Sequence, residues 1–117
     1  MKKQLSDYLD VLHKAGDEED VMNILVKIIK NFNVSSYREI IMSNPYFKSL
    51  IIDIKGGIII EMDSMIEMIK VEIENLNGEL LVCNRTEDFI KFKELKRECV
   101  FLLTELENRK TDLYLLN

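Results

Sequence analysis

The 117-residue chain has one proline, four glycines, two cysteines, one histidine and no tryptophan. So little proline and glycine excludes a disordered linker or a collagen-like repeat, which are built from these residues. Apolar runs such as Ile58-Ile59-Ile60 fall far short of the roughly 18 residues that a membrane-spanning helix needs. The start, Met1-Lys2-Lys3-Gln4-Leu5-Ser6-Asp7, lacks the apolar stretch and small-residue cleavage site of a secretory signal. The expected compartment is therefore the cytoplasm, with no membrane contact.

Metal and disulfide chemistry are equally poorly supplied. Zinc needs about four nitrogen, sulfur or oxygen ligands in compact spacing, and His13 stands far in sequence from both thiols. Cys83 and Cys99, placed on two arms of a helical hairpin, would differ in height and lie roughly 18 Å apart at 1.5 Å per residue, too far for a disulfide. No metal and no cofactor is expected.

What remains is 47% hydrophobic and 32% charged, enough to fold one soluble domain of this length. The formal charge of −5 is unevenly spread. Residues 1–50 and 85–117 each balance seven cations with seven anions, whereas residues 51–84 set Lys55 and Lys70 against Asp53, Glu61, Asp63, Glu67, Glu72, Glu74 and Glu79. Such a segment repels phosphate backbones, which argues against direct nucleic-acid binding.

The apolar spacing is helical throughout. Leu5, Tyr8, Leu9 and Leu12 share one face, and Gly16 follows where a left-handed cap would end a helix of about 4–15. The acids Asp17, Glu18, Glu19 and Asp20 complement the start of a second helix, about 18–31, with Val21, Ile24, Leu25, Ile28 and Phe32 inward. Ser36 and Glu39 have the spacing of a capping box, predicting a short third helix that ends near Ser43. Pro45 then opens a helical turn that carries Tyr46, Phe47 and Leu50 as a plug.

Gly56-Gly57 would cost about 2 kcal/mol inside a helix, so a bend or break is predicted there, with a new helix from Ile58. The alternation of Ile52, Ile54, Ile58, Ile60 and Met62 around the glycines also admits a β-hairpin, although no third strand exists to support it. From Ile58 the stripe Met62, Met65, Ile69, Ile73, Leu76 and Leu80 is regular. After a polar gap at Asn84-Arg85 it is matched by Phe89, Phe92, Leu95, Cys99, Leu102, Leu106 and Leu113. Asn84 is expected to turn left-handed, and Thr86 to cap the return helix. The predicted architecture is all-α: one domain, 1–117, with short helices in 1–50 packed on an antiparallel two-helix hairpin over 58–113.

A second apolar stripe lies opposite the first: Ile60, Val71 and Val82 on one arm, Ile90 and Phe101 on the other. Either residues 1–50 fold over it, or it is a surface for self-association or for a protein partner. Asp63, Glu67 and Glu74 flank it on one side and Glu61, Glu72 and Glu79 on the other, as a solvated surface or a contact for a basic partner.

Catalytic patterns are absent. The chain has no phosphate-binding glycine loop, dinucleotide turn or nucleophile elbow, and no inward Glu-x-x-His pair of the kind that holds two irons. Cys83 falls at a helix C-terminus, where the dipole disfavours a thiolate. A non-enzymatic protein is expected.

The stretch Ile73-Glu74-Asn75-Leu76-Asn77-Gly78-Glu79-Leu80-Leu81-Val82-Cys83-Asn84-Arg85-Thr86-Glu87-Asp88-Phe89-Ile90-Lys91-Phe92, continuing to Phe101-Leu102-Leu103, resembles the helical hairpin of small accessory proteins of tailed bacteriophages. Glu-Leu-Leu before a short turn and Thr-Glu-Asp-Phe opening the return helix carry the resemblance, over about a third of the chain. Glu94-Leu95 and Lys96-Arg97 stand where that return helix is associated with a Gln-Gly pair. The resemblance implies a virion-associated or host-directed accessory role and transfers no active site. The function expected is protein binding, as a homo-oligomer or part of a larger assembly. The alternative is an acidic inhibitor of a host nucleic-acid-binding or defence protein.

Overall fold

The computed structural model describes residues 4–116; Met1, Lys2 and Lys3, the basic start of the chain, and Asn117 lie outside the described residues. Five helices follow in order: α1 (Leu5–Lys14), α2 (Glu18–Asn31), α3 (Val34–Ile41), α4 (Pro45–Val82) and α5 (Thr86–Tyr114). No strand occurs among the described residues. The fold is all-α, and its two long helices form the predicted antiparallel hairpin. The chain divides into two compact units, Met1–Ile59 with Asp112–Asn117, and Ile60–Thr111.

In the first unit the amphipathic pattern becomes the core. Val21, Ile24, Leu25, Ile28 and Ile29 of α2 are buried with Leu12 of α1, and with Val34, Tyr37 and Ile41 of α3. Tyr8 meets Phe32 edge to face, with ring centroids 5.6 Å apart, a favoured aromatic geometry. Leu50, Ile51, Ile58 and Ile59 of α4 are buried in the same unit, as are Leu113 and Leu116 near the end of the chain. Lys55 Nζ donates to the Leu116 carbonyl at 2.8 Å.

The acids ahead of α2 work as caps. Asp17 takes the extended N-cap conformation, and its Oδ1 accepts from the Asp20 amide at 2.8 Å, satisfying one of the four amides a helix start leaves open. Asp17→Ala is therefore expected to lower stability by about 1 kcal/mol; a urea midpoint unchanged from the wild type would show that this cap contributes nothing.

Several local expectations are corrected. Gly16 makes no left-handed cap: no residue among those described has positive φ, and α1 closes on Ala15 in extended geometry. The same finding removes the left-handed Asn84. Thr86 is the first residue of α5, and the carbonyl of Arg85 accepts from the Phe89 amide at 3.0 Å, so Arg85 takes the cap position. The Ser36–Glu39 capping box does not form, because α3 begins two residues earlier, at Val34, with Asn33 as its N-cap. That earlier start lets Val34 be buried together with Tyr37 and Ile41, one face at three- and four-residue spacing.

The largest correction is at Gly56-Gly57, where neither a break nor a β-hairpin occurs. Pro45 opens a single helix that runs through both glycines to Val82, with Asn44 Oδ1 accepting from the amides of Tyr46 (2.9 Å) and Phe47 (3.3 Å). With helical phase kept across the glycines, Ile51 and Ile58 fall within about 20° of each other, at the centre of a buried half of the helix bounded by Leu50 and Ile59. Burying four such side chains, at roughly 1.5–3 kcal/mol each, outweighs a local cost of about 2 kcal/mol.

Candidate protein-interaction surface

The second unit is a two-helix layer, the parts of α4 and α5 within Ile60–Thr111. Two helices touch along a single line, so each leaves most of its circumference uncovered. Only Met62, Ile66 and Leu76 are buried in this unit, while twelve large apolar side chains are exposed. An ion pair between Lys110 and Asp63 links the two helices, and both Cys83 and Cys99 are free thiols.

The inner face differs from the stripe read from spacing. Met62 and Leu76 are buried and Ile69, Ile73, Leu80, Phe92, Cys99 and Leu106 half-buried, as the stripe requires. Met65, Phe89, Leu95 and Leu102, placed on that stripe, are instead exposed, and Ile66, which was not, is buried. On α4 the buried line takes in Ile66 in place of Met65, its neighbour about 100° away around the helix.

The opposite stripe is open to solvent. Ile60 is 70% exposed, Val71 55%, Val82 71%, Ile90 53% and Phe101 63%. Met68, Leu81 and Val100 are also exposed apolar side chains. Met68 was legible: at 100° per residue it falls within about 60° of Val71 on the α4 wheel.

Of the acids that flank the α4 stripe, Glu61, Glu67, Glu72, Glu74 and Glu79 are exposed, and Asp63 is half-buried beside Lys110. Lys70, the single cation between Ile60 and Val82, lies 3.6 Å from Glu67. The matching part of α5, Thr86–Thr111, balances six cations with six anions. The two outer faces therefore share apolar character and differ sharply in charge.

No group of three or more His, Cys, Asp or Glu side chains converges as metal ligands would, among the described residues. His13 is exposed on α1. The hairpin tip has an open depression lined by Glu79, Val82, Cys83, Asn84, Arg85, Asp88 and Phe92. There the Cys83 thiol donates to the Arg85 carbonyl at 3.3 Å. No helix among the described residues is long and apolar enough to cross a membrane. Compared with known protein families, curated proteins and solved structures, the chain matches none.

Proposed function

We propose that this chain is a non-catalytic protein-interaction protein whose hairpin is covered by other protein surfaces, through self-association and as a component of a larger assembly. The observation that carries the reading is the imbalance in the second unit between three buried and twelve exposed large apolar side chains. Isolated exposed leucines are ordinary on a protein surface. A set that follows helical stripes along both arms of a hairpin is the pattern of an interface.

Charge assigns the two faces. Self-association through α5 brings together helices with no net charge, whereas α4 against α4 opposes six acids to six acids. The α5 stripe, Ile90 and Phe101, is accordingly the self-association face. An acidic surface that imitates a phosphate backbone would account for the carboxylates and leave the apolar stripes without a role. The resemblance of the hairpin to accessory proteins of tailed bacteriophages extends the proposal to a virion or a bacterial host's cytoplasm as the place of action.

Light scattering over a concentration series is expected to show a defined oligomer for the native chain and a monomer for Phe101→Asp. Helical circular dichroism should be unchanged, since surface substitutions cost within about 0.5 kcal/mol. A native chain that stays monomeric throughout would defeat self-association, and loss of helix together with assembly would make Phe101 a core residue.

A further inference from the structure

The α4 stripe is a different surface from the α5 one, and its charge excludes the occupant assigned there. We infer that the outer face of α4 between Ile60 and Val82 docks one amphipathic helix of a partner protein, its apolar side flanked by lysine or arginine. The inference rests on the protein-interaction reading above and adds the chemistry of the partner.

Ile60, Val71 and Val82 recur every eleven residues, which is 3.67 per turn and keeps them in line along about 33 Å of helix. Ser64, Asn75 and Gly78 fall on the same line, and all three are exposed. A Cβ at Gly78 would meet nothing within 4 Å, so no atom of this chain explains the missing side chain. Glu67, eleven residues before Gly78 and 3.6 Å from Lys70, is the one charged side chain on this line; the apolar residues alternate with it and with small or uncharged ones along a straight seam. A helix fills such a seam over several turns, with its own anchors at three- and four-residue spacing.

The flanks select the partner's charge. Acids border the seam on both sides, and among the described residues Glu72, Glu74 and Glu79 have no ion-pair partner. A second copy fits badly. Its α4 seam is acidic on both flanks, and its α5 stripe carries Glu87, Glu94 and Glu105 along one of them. A helix with cations on both flanks meets opposite charge along the whole length, which favours encounter and sets orientation.

The probe is a synthetic amphipathic peptide about 22 residues long, with a leucine seam and lysine flanks, titrated into full-length Phe101→Asp protein and followed by fluorescence anisotropy. The expected result is one peptide per chain, bound about tenfold or more weakly when salt rises from roughly 0.05 to 0.5 M. The same peptide with glutamate flanks is expected not to bind. Adding Val71→Asp separates the seam from simple charge attraction, because it makes the protein more acidic while interrupting the apolar line. Docking on the seam requires the affinity to fall about tenfold, the cost of roughly one lost apolar anchor. Affinity that holds or rises in that variant overturns the inference, as does equal binding of the two peptides or binding of neither. Because binding is read in the Phe101→Asp background, failure of self-association and failure of the α4 seam give separate results.

Discussion

Ile51→Ala is expected to lower stability by about 2–5 kcal/mol, the usual cost of removing a branched side chain from a closed core. Ile51 is fully buried in the first unit. It lies on α4 five residues ahead of Gly56, so its place inside depends on which way the helix faces as it approaches the glycines. Ile52, its neighbour in sequence, is 43% exposed, and Ile52→Ala should cost less than about 1 kcal/mol because little surface leaves water there. The pair is a matched test, with the same chemistry one residue and 100° apart. Urea denaturation of both variants reads the difference directly, and since a domain of this size holds only about 5–15 kcal/mol in all, Ile51→Ala should shift the midpoint by a large fraction. Equal effects from the two would mean that α4 presents a different face to the core.

Gly56→Ala combined with Gly57→Ala is expected to stabilise the protein by about 2 kcal/mol. Both glycines sit inside α4 with ordinary helical backbone, where alanine is preferred by about 0.8–1.0 kcal/mol each. A Cβ at either position meets nothing within 4 Å, so the new methyl groups displace nothing. Alanine also restricts the unfolded chain more than glycine does, which acts in the same direction. Thermal or urea unfolding of the double variant measures the gain. A loss of stability would show that the segment departs from helical geometry in solution, as the pattern around Lys55-Gly56-Gly57 suggests when it is read without its neighbours.

These two experiments bracket what was hard to read at the centre of the chain. Propensity gives the glycine pair a real cost, and on local grounds a break is the cheaper solution. What overrides it is burial of Leu50 and Ile51 before the glycines and of Ile58 and Ile59 after them, a cooperative gain that no short window displays. The same kind of override moved the start of α3 from a well-spaced capping box to Val34, because a buried valine contributes more than a reciprocal cap at Ser36 and Glu39. Gly16 and Asn84 were read as left-handed from residue type, yet neither adopts positive φ. Glycine and asparagine permit that geometry without requiring it.

Much else was legible directly. The bounds of α2, the role of Asp17 and its neighbours at its start, Pro45 as a helix opener, and the two-arm hairpin all follow from the 3.6-residue period and from the groups that satisfy open helix ends. The apolar residues on the outer stripes were identifiable from the same period, since an angular position on a helix is a property of spacing alone. Whether those positions would be covered was a different matter. Periodicity carries no information about which helix meets which. Within the first unit the apolar faces of α1, α2 and α3 are buried, and within the second Ile60, Val71, Val82, Ile90 and Phe101 are exposed. Local order along this chain is written in spacing, capping and charge, which act over one or two helical turns. The exposure of its candidate interaction surfaces comes from contacts between residues far apart in sequence, and only the assembled tertiary packing sets those.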